Sequence, residues 1–484
     1  MSTSFDHSVI LSPLDHIAPQ AYVSYLLSFQ TANSTHCLSL LEAGITRLTK
    51  VLPLLLGHIV VNPELDGKYN IQSVQIPCTK EDRTILVHKH HPFPMESALG
   101  GVQSGMSMLE TSDSKQHLCP LPPLIPSTER QPVIRFQANI FTDAIVLAMT
   151  FSHIVFDGTG AAKILALLGR CCRDPSVTPL PLIIDEQDRA QSAIFAGLAD
   201  TSPAQDHTAE LGPAPAIHPV PLDAASLRTC RFEFNSERIL QLKYQCSQVL
   251  KNACMFQPNS ASIPVADLPP FLSSNDVLTS ALADAIQRVK SQSKTYDCLD
   301  LCMAVNMRGR IELSAAREFL GNMACNLRLK TPGPEYTGPE QCLSCRKTHD
   351  CPIQTDQLRF LTDLACKVRN KVRNMDRKYF QSCMTYIANQ KDWSQTGMIF
   401  TDLAFSSWRH LDIYGLDFGD SFGIVHNFDL SFGLIEGDVI FLPKRLTCDQ
   451  KEAGWDVHIT LPAKDLEALV KDDLIRWLMG RDGE

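Results

Sequence analysis

Ser152-His153-Ile154-Val155-Phe156-Asp157-Gly158-Thr159-Gly160 is the stretch on which the reading of this chain turns. Upstream, Val133 to Thr150 gives two apolar strand-like runs parted near Thr142 and Asp143. Downstream, Gly158 to Arg173 places Ile164, Leu165, Leu167 and Leu168 on one helical face. The order is strand, turn, helix, with a histidine at the strand end. Rigid backbone holds an imidazole there, and with an intrinsic pKa of about 6.5 it can take a proton from a hydroxyl near neutrality. Asp157 and the glycines suit a tight turn into a helix start, where a carboxylate also favours the helix dipole. A core histidine beside a helix cap has the same local pattern, so this stretch alone leaves both readings open.

Outward from that unit, His36 to Val51 reads as an amphipathic helix. From Asp174 to Leu227 the chain turns to Pro, Ala, Asp and Ser with little periodicity, as expected of a long crossover. A second half restarts with a strand at Cys230 to Phe234 and helices at Ser236 to about Lys251 and Ser273 to Ser291, the latter introduced by Ser273, Ser274 and Asn275. Strands are expected at Cys302 to Met307, Met398 to Phe405, Val439 to Leu442 and Val457 to Leu461, and a final amphipathic helix at Lys464 to Met479. Both halves mix helix and strand, with no internal repeat. The expected division is an N-terminal lobe over 1–185, a crossover over 186–227 and a C-terminal lobe over 228–484.

The size agrees: 484 residues, 44% hydrophobic and 20% charged, are too many for one comfortable core. A net charge of -9 argues against a nucleic-acid or anionic-membrane partner, since neither polyanion gains by meeting such a surface. Seventeen scattered cysteines do not form a secreted disulfide framework, and Asp6, Pro13, Asp15 and Pro19 spoil a secretory leader, so a reducing, cytoplasmic location is expected. The apolar run Val51 to Val61 contains Pro53, Gly57 and His58 and is too short to cross a bilayer.

Several segments read together resemble the BAHD acyltransferases, and within them the fungal branch typified by trichothecene 3-O-acetyltransferases. The His-x-x-x-Asp-Gly motif is present as His153, Asp157 and Gly158, and the Asp-Phe-Gly motif as Asp417, Phe418 and Gly419. Between them Ala304-Val305-Asn306-Met307-Arg308-Gly309-Arg310 is similar to the family's strand with two arginines, and Phe319-Leu320-Gly321-Asn322 to its Gly-Asn segment. Leu11-Ser12-Pro13-Leu14-Asp15 resembles the opening motif, and Leu52-Pro53-Leu54-Leu55-Leu56-Gly57 the helix end and turn that follow. The resemblance spans essentially the whole chain.

It implies an α/β fold of two similar lobes with mixed sheets, chloramphenicol-acetyltransferase-like, with a channel between them. It also implies acyl transfer from a co-substrate acyl-CoA, with acetyl-CoA the expected donor, to a hydroxyl of a secondary metabolite. No permanently bound cofactor or metal is implied, and a monomer is expected. His153 would be the general base that deprotonates the acceptor, which attacks the thioester directly, without a covalent acyl-enzyme. Asp157 would point away and pair with Arg308, and Gly158 would shape the turn. In Ser406-Ser407-Trp408, the Trp408 indole and Ser406 hydroxyl would face the oxyanion. Asp417 and Gly419 would be structural anchors. After Gly419 this chain departs from the family pattern with Asp420, Ser421, Phe422 and Gly423.

Other constellations compete. Gly419-Asp420-Ser421-Phe422-Gly423 fits the nucleophile elbow of serine hydrolases, with Ser421 as nucleophile, but that elbow requires a helix directly after the serine and Ile424 to Phe432 has no helical stripe. Cys342, Cys345, His349 and Cys351 could surround zinc, although the segment lacks two separated ligand pairs. His88 and His90 would share one face of an extended segment with His91 on the other, and two ligands do not close a site. A condensation-type domain would carry a second histidine where Ser152 stands, and an inactive scaffold would be expected to lose His153 or its anchor.

Overall fold

The computed structural model of the protein describes residues 7–31, 33–77, 85–95, 106–109, 113–174, 207, 210–212, 226–255, 268–291, 298–312, 314–332, 353–399, 401–433, 435–447, 449 and 451–481. Its centre on the N-terminal side is the strand Ala144–Ser152, buried along its whole length. It runs antiparallel between Tyr22–Gln30 and Ile134–Ile140. Asn427–Ser431 and Leu86–His90 complete a five-stranded sheet, the last strand being parallel to its neighbour. On the other side seven strands follow in the order Ala324–Pro332, Cys298–Asn306, Leu403–Ser407, Asp438–Phe441, Trp455–Pro462, Leu227–Phe234 and Met106–Leu109. Two of its six pairings are parallel, so both large sheets are mixed.

Alternation along the strands gives each sheet one apolar and one polar face. Tyr25, Leu27, Phe29, Leu147, Met149 and Phe151 form one core with Leu41, Ile45 and Leu48 of helix Ser34–Val51 and Ile164, Leu165 and Leu168 of helix Gly158–Arg173. These two helices approach so closely that a Cβ on Gly44 would stand 2.4 Å from the Cys172 Sγ. In the C-terminal lobe Phe232, Phe234, Val457, Ile459 and Leu461 pack beneath helices Ser236–Met255, Ser274–Ser291 and Thr355–Asn374.

The opposite faces carry hydroxyls and charges, with Ser24 2.6 Å from Thr150 and Thr229 2.7 Å from Thr460. They meet at the lobe junction. There Arg231 donates to the Phe428 carbonyl at 3.2 Å, and the His458 Nε2 stands 3.2 Å from the Asp429 carboxylate that pairs with Lys115. Charges withdrawn from water in this way need partners, and these have them.

Two strands cross between the lobes. Met106–Leu109, from the first half of the chain, edges the C-terminal sheet beside Leu227–Phe234, while Asn427–Ser431, from the second half, edges the N-terminal sheet beside Tyr22–Gln30. Each covers backbone that an open edge would leave unpaired. Most of the expected crossover, 186–227, lies outside the described residues. Of it, Leu211–Gly212 pairs with Gly397–Met398.

Two expected elements are broken. Met398 to Phe405 is not one strand: Gly397–Met398 and Leu403–Ser407 join different sheets. Between them, the Thr401 hydroxyl donates to the Leu403 carbonyl at 2.7 Å and the Asp402 carboxylate accepts from the Asp300 N–H, local bonds that compete with a ladder. Lys464 to Met479 is likewise two helices, Ala463–Lys471 and Asp473–Leu478. Asp472 is extended and its carboxylate caps the N–H groups of Leu474 and Ile475, starting a new helix. No helix among the described residues is long and apolar enough to cross a membrane.

Candidate active site

The strand ending at Ser152 turns sharply, because the N–H groups of Val155 and Phe156 both return to the Ser152 carbonyl, at 3.1 and 3.2 Å. His153 sits on that turn with its backbone pinned twice. Its N–H donates to the Ala21 carbonyl at 2.9 Å, and its own carbonyl accepts from the Asn322 Nδ2 at 2.9 Å. The residue is half-buried, but its Nδ1 is sealed from solvent and has no hydrogen-bond partner among the described residues. Burial lowers the imidazole pKa below its usual value, and its own carbonyl, Asp157 and Asn322 oppose that shift without cancelling it. The ring is therefore neutral near pH 7, with lone-pair capacity to accept a proton.

Asp157 faces away from solvent and is fully engaged. Its Oδ1 accepts from the Gly160 N–H at 2.8 Å, capping helix Gly158–Arg173, and from Arg308 Nη2 at 3.0 Å. Its Oδ2 accepts from Arg308 Nη1 at 2.7 Å and from the Met323 N–H at 2.9 Å. Burial alone would raise this carboxyl, but the Arg308 charge and hydrogen bonds outweigh it and hold the pKa below the usual carboxylate value. Arg308 spends its remaining donors on the carbonyls of Phe319, at 3.0 Å, and Gly321, at 2.6 Å, and on the Asn306 Oδ1 at 3.4 Å. The pair thus ties the turn after His153 to the C-terminal lobe.

At the end of strand Leu403–Ser407, the Trp408 indole N–H donates to the Ser406 hydroxyl at 2.9 Å. The ring of Trp408 lies 5.3 Å from that of Tyr25, whose hydroxyl donates to the Gly158 carbonyl at 3.0 Å. Gly158 is wedged between them: a Cβ there would stand 3.1 Å from the Tyr25 hydroxyl and 3.2 Å from the Trp408 ring. His153's turn and the Ser406–Trp408 pair, far apart in sequence, are therefore neighbours through Gly158.

Asp417 and Gly419 lie at the other end of the same helix. Asp417 pairs with Arg173 at 3.0 Å and accepts from the Gly419 N–H at 2.8 Å, which keep its pKa low. Gly419 and Gly423 have φ of +95° and +71°, a conformation that favours glycine, and the Gly423 N–H returns to the Gly419 carbonyl at 2.7 Å. The departure from the family pattern is thus a closed turn with its own plug, since Phe422 is buried against Phe29 and packs near Phe418. Ser421 is not at a nucleophile elbow. Asp417 and Ile424 bridge in antiparallel fashion and the strand Asn427–Ser431 follows, so the helix that the hydrolase reading requires is missing.

Two residues quoted only as motif matches prove to be part of the site. Asn322 holds the His153 carbonyl, and Asp15 holds Asn322, with Oδ1 accepting from its Nδ2 at 2.8 Å and its N–H at 3.0 Å. The spacing of Ser12 and Asp15 marks a capping box, which was legible, but its tertiary partner was not. Thr159, 3.1 Å from both Asn306 Nδ2 and His410 Nε2, and Tyr25 carried no distinguishing signal.

Of the histidines weighed for metal, the His88 and His90 rings are 5.8 Å apart, whereas His91 stacks on Phe141 at 4.5 Å and bonds Asn139 at 3.2 Å. Among the described residues no cluster of three His, Cys, Asp or Glu forms around them. Cys342, Cys345, His349 and Cys351 lie outside the described residues.

A family model described as the trichothecene 3-O-acetyltransferase-like N-terminal domain matches residues 20–172. The chain is 32% identical to fumigaclavine B O-acetyltransferase easN of Aspergillus fumigatus, over 98% of this chain and 97% of that one. It is 31% identical to communesin N16 acyltransferase cnsK of Penicillium expansum, over 99% of each. Its fold matches the crystal structure of F. sporotrichioides TRI101 complexed with coenzyme A and T-2, with a TM-score of 0.69 and 18% identity over 97% of this chain and 98% of that one.

Proposed function

The chain belongs to the trichothecene 3-O-acetyltransferase-like family of fungal acyltransferases and is an acyl-CoA-dependent O-acyltransferase, and we propose that it moves an acetyl group from acetyl-CoA to a secondary-metabolite hydroxyl with His153 as general base. The observation that carries this assignment is the division of labour on the turn. Asp157 is consumed by Arg308 and the helix cap, and His153 is left neutral with no salt-bridge partner among the described residues.

The acceptor hydroxyl gives its proton to the imidazole as its oxygen attacks the thioester carbonyl. Negative charge builds on that carbonyl oxygen. Because the Trp408 N–H is already donated to Ser406 Oγ, the hydroxyl proton of Ser406 is the one available to the oxyanion, and Trp408 polarises it. Collapse breaks the carbon–sulfur bond, and the imidazolium returns the proton to the departing coenzyme A thiolate. Gly158 keeps the turn close to Trp408, and Asp417 and Gly419 brace the far end of the helix.

The site is proposed to lie between lobes over 1–185 and 228–484 joined by a crossover over 186–227, with acyl-CoA and acceptor entering from opposite sides. A cytoplasmic monomer is proposed; the location is supported by the eleven cysteines whose side chains are described, all of them free thiols and ten buried.

Comparing metabolites of a strain with and without this protein should reveal one compound that loses an acetyl ester. The purified protein should then restore it from acetyl-CoA. Acylation of an amine in preference to any hydroxyl, or no dependence on His153, would overturn the assignment.

A further inference from the structure

The polar partners of His153 leave a gap that another residue fills. Among the described residues nothing hydrogen-bonds its Nδ1, and the groups that act to raise the imidazole pKa are the residue's own carbonyl, Asp157 and Asn322. That carbonyl is not loose: Asn322 Nδ2 donates to it at 2.9 Å. Asn322 is oriented in turn by Asp15, which takes both its amide side chain and its backbone N–H on a single carboxylate oxygen. The second oxygen of Asp15 accepts from the Ser12 N–H at 2.7 Å. All five residues of helix Pro13–Ile17 are buried, and the next residue, His16, is locked between the Ser12 carbonyl, at 2.8 Å, and the Gln72 N–H, at 2.7 Å. The amide N–H to Nε2 requires the His16 proton on Nδ1, so His16 is neutral as placed.

We propose that Asp15 is a positioning residue for the acyl-transfer base, acting through Asn322 on the His153 carbonyl and thereby on the ring and its tautomer. The inference rests on the reading of His153 as base. A carbonyl held in place beside Nδ1 favours the tautomer with the proton on Nδ1 and leaves Nε2 to accept the substrate proton. A short buried helix near the start of the chain so sets the register of a turn 138 residues later.

Burial pushes the Asp15 carboxyl up to about 6, against the hydrogen bonds of Asn322 and Ser12. The titratable or charged groups around it are His16 on its own helix, His153 across Asn322, and the Asp157–Arg308 pair beyond Met323. Its hydrogen-bond partners are Ser12 and Asn322, both neutral. Protonation would set an O–H against one of three N–H donors, so the arrangement belongs to the ionised form and loosens as pH falls through the Asp15 pKa.

The test uses the full chain labelled with 15N-histidine, the His153 signals being identified by their loss in His153→Ala. In the parent, 15N shifts should report a single tautomer protonated on Nδ1. In Asp15→Asn and in Asn322→Ser, which keeps the backbone N–H to Asp15, the proton should be shared between the two nitrogens. Turnover with the acceptor that the metabolite comparison yields should fall about 10- to 100-fold with KM for acetyl-CoA within about twofold, as for a misplaced catalytic group. An unchanged tautomer in folded Asn322→Ser overturns the proposal, whatever Asp15→Asn does to the fold. Activity retained by His153→Ala would instead remove the reading beneath it.

Discussion

Gly160 stands so close to Leu320 that a Cβ on it would lie 1.8 Å from the Leu320 carbonyl oxygen. The first turn of the helix after His153 is thereby pressed against the segment that carries Asn322, and the two lobes meet backbone to backbone. Gly160→Ala cannot be accommodated by a side-chain shift. It should destabilise by about 1–3 kcal/mol or more and lower turnover through displacement of the turn, read by thermal melting beside an activity assay. A variant with unchanged melting and turnover would mean that the approach is slack.

Asp157→Ala and His153→Ala should separate. The first leaves Arg308, 5% exposed, without its carboxylate, and a broken buried pair costs about 3–5 kcal/mol. The second removes no ion pair and should keep the parent's urea midpoint while losing about 100-fold or more in turnover. Equal loss of stability in both would argue that His153 is a packing residue.

The pH dependence follows from the sign of the His153 shift. Its pKa in the folded protein is below 6.5, so the neutral base persists under mildly acidic conditions and the acid limb of kcat/KM should fall below pH 6.5. The unfolded chain takes up that proton first, so this group erodes stability as pH drops below about 6.5. His153→Ala should therefore melt higher relative to the parent at pH 5 than at pH 8. A constant difference across that range would contradict the shift.

Ser406 and Trp408 should behave as one unit. If the indole acts by polarising the hydroxyl, Ser406→Ala should cost about 100- to 1,000-fold in kcat with little change in KM for acetyl-CoA. Trp408→Phe, which keeps the ring bulk, should cost less, and the double variant should be no worse than Ser406→Ala alone. Additive losses would show two independent donors to the oxyanion.

Ser421 should be silent. Among the described residues its carbonyl is the engaged group, accepting from the Cys37 thiol at 3.1 Å and the Thr31 hydroxyl at 3.4 Å. Ser421→Ala should leave turnover within about twofold, and a fluorophosphonate should not label the protein. Stoichiometric labelling at Ser421 would revive the hydrolase.

The strand, turn and helix around His153 were legible because their periodicity is local, and Gly158–Arg173 occurs where its apolar stripe lies. Helices Thr355–Asn374 and Arg377–Asn389 are absent from the sequence reading: in the first the apolar positions are interleaved with Arg and Lys, whereas in the second Phe380, Cys383, Met384 and Ile387 recur at helical spacing and were there to be read. The break at Asp472 needed a cap to be weighed against a continuous stripe. Least legible was the Asp15–Asn322 contact, which joins residues 307 apart. A capping box shows how a helix starts but not what its spare carboxylate oxygen will meet. The exchanged strands share that difficulty, since nothing in Met106–Leu109 or Asn427–Ser431 says which sheet edge will accept it.

Those exchanged strands bear on how relatives could be recombined. A chimera spliced in the crossover would take one parent's Leu227–Phe234 edge and the other parent's Met106–Leu109, and likewise Tyr22–Gln30 from one and Asn427–Ser431 from the other. Each lobe of such a hybrid would have a foreign strand sewn into its hem. To graft one relative's acceptor preference onto another, the unit to move is a lobe together with the strand it borrows, not either half of the gene.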